Sequence, residues 1–177
     1  MKAGFFICCV LLASLFIFDD LSMRQIVHEN PQAQTMVCES PGGGCDQKLI
    51  NVINNAHKYV YFAVYTITKQ NIADALIAAK LRGVDVQGIL DYNQSIIPEE
   101  KPIVTRLKKY GLQLKIPIKE SGLIHIKMLV TESAYASGSF NWTTSATNYN
   151  DEVLEIGSVE GLRKKYLSVW EKINKKY

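Results

Sequence analysis

The sequence predicts an α/β domain built around a largely buried sheet, and three observations carry that prediction. Stretches of helical and strand periodicity alternate from Asp46 to the C-terminus. Tyr59 to Ile67 (YVYFAVYTI) is β-branched and aromatic, and too dense in apolar groups for a strand with one solvated face. The 177 residues are 47% hydrophobic and 21% charged, which supports one core and excludes a disordered, collagen-like or disulfide-dense chain.

The first element is a charge-free run. Ala3 to Phe18 (AGFFICCVLLASLFIF) follows Lys2 and precedes Asp19 and Asp20. One cation before a long apolar stretch is the layout of an export signal, and the run is just short of the roughly 17 residues a spanning helix needs. No small-residue cleavage site follows it, so residues 1–18 are expected to be a signal peptide or an N-terminal membrane anchor. That places the chain outside the cytoplasm: periplasmic, secreted, or tethered to a membrane through residues 3–18. Residues 19–37 are polar, aperiodic and interrupted by Pro31, as in a tether. Residues 38–177 are expected to form the folded domain, of a common domain size. Cys38 and Cys45 bracket Glu39-Ser40-Pro41-Gly42-Gly43-Gly44, a segment able to turn back on itself, so an oxidising compartment favours a disulfide between them.

Asp46 is placed to cap a helix with Leu49, Ile50, Val52, Ile53 and Ala56 at helical spacing. The apolar strand Tyr59–Ile67 follows. Asn71–Arg82 returns to helical periodicity and stops at Gly83, a residue suited to a left-handed cap. Val84–Asp91 is a second strand, Lys101–Tyr110 a helix ending at Gly111, and Leu112–Ile116 a short strand. Ile124–Val130 and Glu152–Ile156 are further strands. Gly161–Lys176 closes the chain as an amphipathic helix with Leu162, Tyr166, Val169, Trp170 and Ile173 inward.

The net charge of +3 neither demands nor repels a polyanionic partner. The basic set Arg163, Lys164, Lys165, Lys172, Lys175 and Lys176 is first a solvated helix face, with a footprint for a phosphate backbone as its rival reading. His57 ends a helix, where a dipole partner is expected before a catalyst.

Chemistry concentrates between residues 125 and 152. Strand alternation sends His125 and Lys127 to one face, while Ile124, Ile126, Met128 and Val130 face the other. Burying an imidazole and an ammonium side by side without purpose is costly. Farther on, Ser139 and Asn141 repeat the two-residue spacing. Imidazole, ammonium, hydroxyl and carboxamide together suit a phosphate group.

With His125, Lys127, Glu132, Gly138, Ser139 and Asn141 in this order, the chain resembles the phospholipase D superfamily. Its motif reads His-x-Lys, four residues, Asp, then Gly-Ser-x-Asn; Glu132 here replaces the aspartate. Ser40-Pro41-Gly42, Tyr65-Thr66-Ile67 and Ile72-Ala73-Asp74-Ala75-Leu76 resemble its small single-motif bacterial Nuc-type endonucleases. The resemblance implies a mixed β-sheet flanked by helices on both faces. It implies as catalytic set His125, Lys127, Glu132, Ser139, Asn141 and Glu152, the last hydrogen-bonding the second imidazole nitrogen.

Superfamily enzymes generally build one site from two motifs, and this chain carries one copy. The resemblance therefore implies a homodimer with two His125 side chains at one phosphorus atom. One attacks to give a phosphohistidine and the other protonates the leaving oxygen. Imidazoles ordinarily titrate near about 6.5, so a close pair shares roughly one proton around neutral pH. No cofactor or metal is expected, since no carboxylates cluster to hold one. The leading substrate expectation is nucleic acid, DNA or RNA, held by its phosphate backbone without base preference. A membrane phospholipid such as cardiolipin is the alternative, and a nucleic-acid-binding pseudoenzyme a third reading.

Overall fold

The computed structural model describes residues 34–177, and the expected export segment lies outside the described residues, as does most of the expected tether. The strands are β1 (Thr35–Ser40), β2 (Tyr59–Val64), β3 (Asp85–Leu90), β4 (Gln113–Lys115), β5 (Lys127–Thr131), β6 (Tyr135–Gly138) and β7 (Glu152–Gly157). The helices are α1 (Cys45–Asn54), α2 (Gln70–Leu81), α3 (Tyr92–Ser95), α4 (Lys101–Lys109), α5 (Thr144–Asn148) and α6 (Glu160–Lys176). One seven-stranded sheet runs in the order β1-β7-β6-β5-β2-β3-β4. β2, β3 and β4 are mutually parallel, and the other pairings are antiparallel, so the sheet is mixed as expected. Among the described residues no helix is long and apolar enough to cross a membrane.

β2 shows why its sequence carries so little polarity. Val60, Phe62 and Val64 enter the larger core, shared with α1, α2 and α4. Ala63 and the half-buried Tyr61 enter a second core, with Ile89, Met128 and Trp170, beneath α6. Both faces of this strand are covered, so the period-two signal of a half-exposed strand is absent. Trp170 anchors α6 by stacking on Tyr61, with centroids 4.3 Å apart, and by donating its indole N–H to the Phe62 carbonyl at 3.0 Å.

Several expectations shift. The folded unit begins before residue 38: β1 takes in Thr35, Met36 and Val37, which composition assigns to the tether, and pairs them with β7. α1 is preceded by Gly44 in the left-handed region and not capped by Asp46. The Asp46 carboxylate instead pairs with Lys69 at 3.0 Å and accepts from Asn71, joining the starts of α1 and α2. β6 has no counterpart among the expected strands, because a four-residue strand carries too short a pattern to register. On α6, Trp170, Tyr166 and Ile173 face inward, whereas Leu162 and Val169 are exposed. The backbone N–H of His57 donates to the Glu132 carboxylate at 2.7 Å. Cys38 and Cys45 form a disulfide that closes the turn between β1 and α1.

Candidate active site

The site lies where β5, the end of β6 and the start of β7 come together. Lys127 opens β5, and its register partner Val64 closes β2. His125 precedes the strand and is exposed, and the pairing of β2 with β5 continues past its own edge through the Tyr65 N–H, which donates to the Ile126 carbonyl at 2.8 Å. The expected alternation holds across this edge. Lys127 Nζ stands 3.1 Å from His125 Nε2 and donates to the His125 carbonyl at 3.2 Å.

Gly138 ends β6 against β7. A Cβ at this position would collide with the Val153 carbonyl, so only glycine permits the approach. That approach places the next residue, Ser139, whose N–H donates to the Val153 carbonyl at 3.0 Å and whose Oγ accepts from the Val153 N–H at 3.1 Å. With its oxygen engaged by a backbone donor, the Ser139 hydroxyl hydrogen is left to donate elsewhere. Asn141 follows; its Oδ1 is buried without a hydrogen-bond partner among the described residues.

His125, Lys127, Gly138, Ser139, Asn141 and Glu152 line a single open cleft of about 460 Å³. Lys127 is almost wholly buried, and that burial pushes its ammonium below the usual lysine value, the Glu152 carboxylate opposing the shift. A partly desolvated cation beside an exposed imidazole, with a hydroxyl donor across the cleft, makes a receptor for an oxyanion. Among the described residues no group of three or more His, Cys, Asp and Glu side chains is placed to hold a metal ion.

Two expected residues stand differently. Glu132 is not in the cleft; it follows β5 at the opposite end from Lys127. Its carboxylate accepts from the backbone N–H groups of His57, at 2.7 Å, and Tyr59, at 3.5 Å. Burial works against its charge, yet these backbone donors, with its own N–H and that of Lys58, hold the carboxyl below the usual value. Glu132 is therefore a clamp between β5 and the turn into β2. Glu152 does reach the cleft, but its carboxylate accepts from Asn150 Nδ2 at 3.2 Å instead of from the imidazole.

Tyr65 packs on the imidazole, Gln94 holds the Tyr65 hydroxyl and Asp91 holds the backbone beside His125, and none of the three has a counterpart in the expected set. The Tyr65 ring lies 4.7 Å from the His125 ring, and the Asp91 carboxylate accepts from the Ile124 N–H at 2.9 Å. Their separations from His125 in the chain are too long for any spacing rule to find them.

Comparison with known proteins gives the family and the fold. Residues 49–173 match the family model described as cardiolipin synthase, PLD-like domain. A phospholipase D of Rickettsia conorii is 30% identical over 155 residues, covering 85% of this chain and 76% of that protein. The crystal structure of the phospholipase D family member Nuc from Salmonella typhimurium superposes with a TM-score of 0.75 at 24% identity, over 80% of this chain and 93% of Nuc. NucT from Helicobacter pylori gives a TM-score of 0.75 at 24% identity, over 81% and 97%. With the fold, the His-x-Lys cleft and the family match in agreement, the chain belongs to the phospholipase D superfamily and is an enzyme of its phosphodiester-hydrolysing kind.

Proposed function

We propose that the protein is an endonuclease that cleaves DNA, and RNA by the same chemistry, without base preference and without a metal ion. One observation carries the reading: the His125 imidazole, the Lys127 ammonium and the Ser139 and Asn141 side chains open onto one cleft with a single carboxylate, Glu152. Such a lining neutralises phosphate oxygens with protein groups alone.

The reaction requires two imidazoles, and among the described residues the cleft holds one, so the working form is a homodimer with the clefts facing each other across a twofold axis. Nε2 of one His125 forms a bond to phosphorus as the bond to the leaving oxygen breaks. The partner subunit's His125, protonated, donates its proton to that oxygen. The same imidazole, now neutral, takes a proton from water, whose oxygen attacks phosphorus and displaces the first His125. Both histidines then return to their starting states, with a phosphomonoester and an alcohol as products. Lys127 from each subunit offsets the charge gathered on the phosphate oxygens. Residues 1–18 serve as the export signal or anchor that puts this enzyme outside the cytoplasm.

Hydrolysis of a membrane phospholipid such as cardiolipin is the second reading. It is favoured by the description of the matched family model and by the name of the Rickettsia conorii relative. The deciding experiment incubates the full chain and His125→Ala with plasmid and with cardiolipin vesicles, in chelator, over a range of salt. The nuclease reading expects plasmid nicking by the parent alone, falling steeply with ionic strength as backbone contacts are screened. Vesicle hydrolysis without nicking replaces it with the lipid reading, and nicking by His125→Ala removes the site itself.

A further inference from the structure

We infer that Tyr65 is a positioning residue for His125, held by Gln94, and that Asp91 fixes the same imidazole from its backbone side; the inference rests on His125 being the nucleophile. His125 lies just outside β5, and its exposed ring lacks the support of a strand on either side. Two supports replace it, and both are tied to the short helix α3.

The first support is through the ring. Tyr65 leaves the end of β2, and its ring packs at 54° against the imidazole with centroids 4.7 Å apart. The Lys127 ammonium lies 5.0 Å from the centre of the same ring. One aromatic side chain thus touches both groups that meet the phosphate, and a tyrosine ring favours cations at this range. The Tyr65 hydroxyl accepts from Gln94 Nε2 at 3.0 Å, and Gln94 Oε1 in turn accepts from the Thr66 hydroxyl at 3.1 Å. The Gln94 amide is engaged at both ends, so it is fixed in orientation.

The second support is through the backbone. Buried Asp91 caps α3 with Oδ1, accepting from the N–H groups of Asn93 at 3.1 Å and Gln94 at 3.3 Å. Its other oxygen accepts from the N–H of Ile124, the residue before His125, at 2.9 Å. One carboxylate therefore ties the helix that carries Gln94 to the chain that carries the nucleophile. A shift of α3 would displace the imidazole from both sides. Simple packing would not require the hydroxyl bond or the shared carboxylate.

The test measures kcat and KM of the full chain on bis(4-nitrophenyl) phosphate for Tyr65→Leu, Tyr65→Phe, Gln94→Leu and the Tyr65→Phe, Gln94→Leu double variant. Tyr65→Leu is expected to lower kcat about 100-fold with KM within about two-fold, because misplacing the nucleophile harms the step after binding. Tyr65→Phe keeps the ring and is expected to restore kcat to within about ten-fold of the parent. The double variant should be no worse than the poorer single, since both remove one hydrogen bond. Parent-like kcat in Tyr65→Leu, losses confined to KM, or additive effects in the double variant would each overturn the inference.

Proton resonances of the His125 ring supply a readout independent of turnover. The ring-current displacement from Tyr65 should vanish in Tyr65→Leu and shrink in Gln94→Leu. If the parent leaves the diester intact, the phosphodiesterase reading fails, and these resonances alone decide the positioning role. His125 signals unchanged in Gln94→Leu refute it. Should Tyr65→Leu fail to fold, Tyr65→Phe and Gln94→Leu carry the same test.

Discussion

Lys127 Nζ lies 3.1 Å from His125 Nε2, so the ammonium stands against the nitrogen that would attack phosphorus. That nitrogen can accept from the ammonium only while it carries no proton. The same contact keeps a cation beside the position of an incoming phosphate. Lys127 is nearly buried, and burial pulls its ammonium below the usual lysine value against the pull of Glu152.

Replacing Lys127 by methionine should therefore separate catalysis from stability. Loss of a charge-stabilising donor is expected to lower kcat by about 10² to 10³. Stability near neutral pH should hold or rise, because the variant no longer places a desolvated cation in the fold. The sign follows from linkage. A lysine with a lowered folded value binds fewer protons in the native state, so its cost is present at low pH and fades as pH approaches 10.5. Urea titrations of the parent and Lys127→Met at pH 7 and pH 10 check this; a larger advantage of the variant at the higher pH would contradict it.

Glu132 should behave as a structural clamp. Glu132→Ala leaves the His57 and Tyr59 N–H groups without their acceptor and is expected to cost about 1–3 kcal/mol. In the parent the carboxyl lies below its usual value of 4.5, so its contribution is present above that pH and is lost as pH falls through the lower folded value. Below the midpoint of unfolding, kcat of the folded variant should stay within about three-fold of the parent, as expected of a group outside the cleft. Circular dichroism melts from pH 3 to 7, paired with diester hydrolysis at 25 °C, measure both effects. A hundred-fold fall in kcat with an unchanged melt would return Glu132 to the catalytic set.

How much of this is legible in the sequence depends on range. His125 with Lys127, and Ser139 with Asn141, sit two apart in extended chain, and the period of two brings each pair to one face without further information. Gly83 and Gly111 stand at helix ends with φ of +90° and +78°, as their positions after helical patterns suggest. Asp46 is not the cap because the helix already begins at Cys45, after Gly44, and the Asp46 carboxylate is free to reach Lys69, a partner that capping rules do not see. Glu132 enters the catalytic set through motif membership, yet the five residues of β5 carry the chain from Lys127 to the opposite end of that strand. Tyr65 meets His125 through the antiparallel pairing of β2 with β5, and Gln94 and Asp91 reach Tyr65 and Ile124 only after the parallel crossover from β2 to β3; no local pattern encodes either.

Gly138→Ala tests the contact that seats Ser139. The added methyl would be driven into the Val153 carbonyl of β7, which is fixed on both sides by β1 and β6. Neither strand can yield freely, so overpacking is expected to cost about 1–3 kcal/mol. Displacement of Ser139 and Asn141 should also lower kcat by at least about ten-fold even where the variant is fully folded. Denaturant titration and diester kinetics on one preparation decide it. A stable variant with parental kcat would show that Gly138 is not what fixes this corner.

Glu100 offers the sharpest pH test, because it is wholly buried yet acidic. Burial pushes its carboxyl up to about 8, the Ile67 N–H opposing and the Asp91 carboxylate adding to the rise. Its Oε2 accepts from the Ile67 N–H at 3.1 Å, while Oε1 has no partner among the described residues. The folded protein thus holds this proton where the unfolded chain releases it near 4.5. Between those values the native state binds more protons, so stability falls as pH rises from about 4.5 to about 8, by at most about 1.4 kcal/mol per pH unit. Glu100→Gln keeps an acceptor for Ile67 and cannot ionise. Its stability should lose this decline and exceed the parent's at pH 8, where the buried carboxylate begins to charge, while at pH 4.5 the two proteins should be close. Guanidinium titrations at half-unit steps from pH 4.5 to 8.5 resolve the two curves; parallel curves would mean that Glu100 carries its charge in the core throughout.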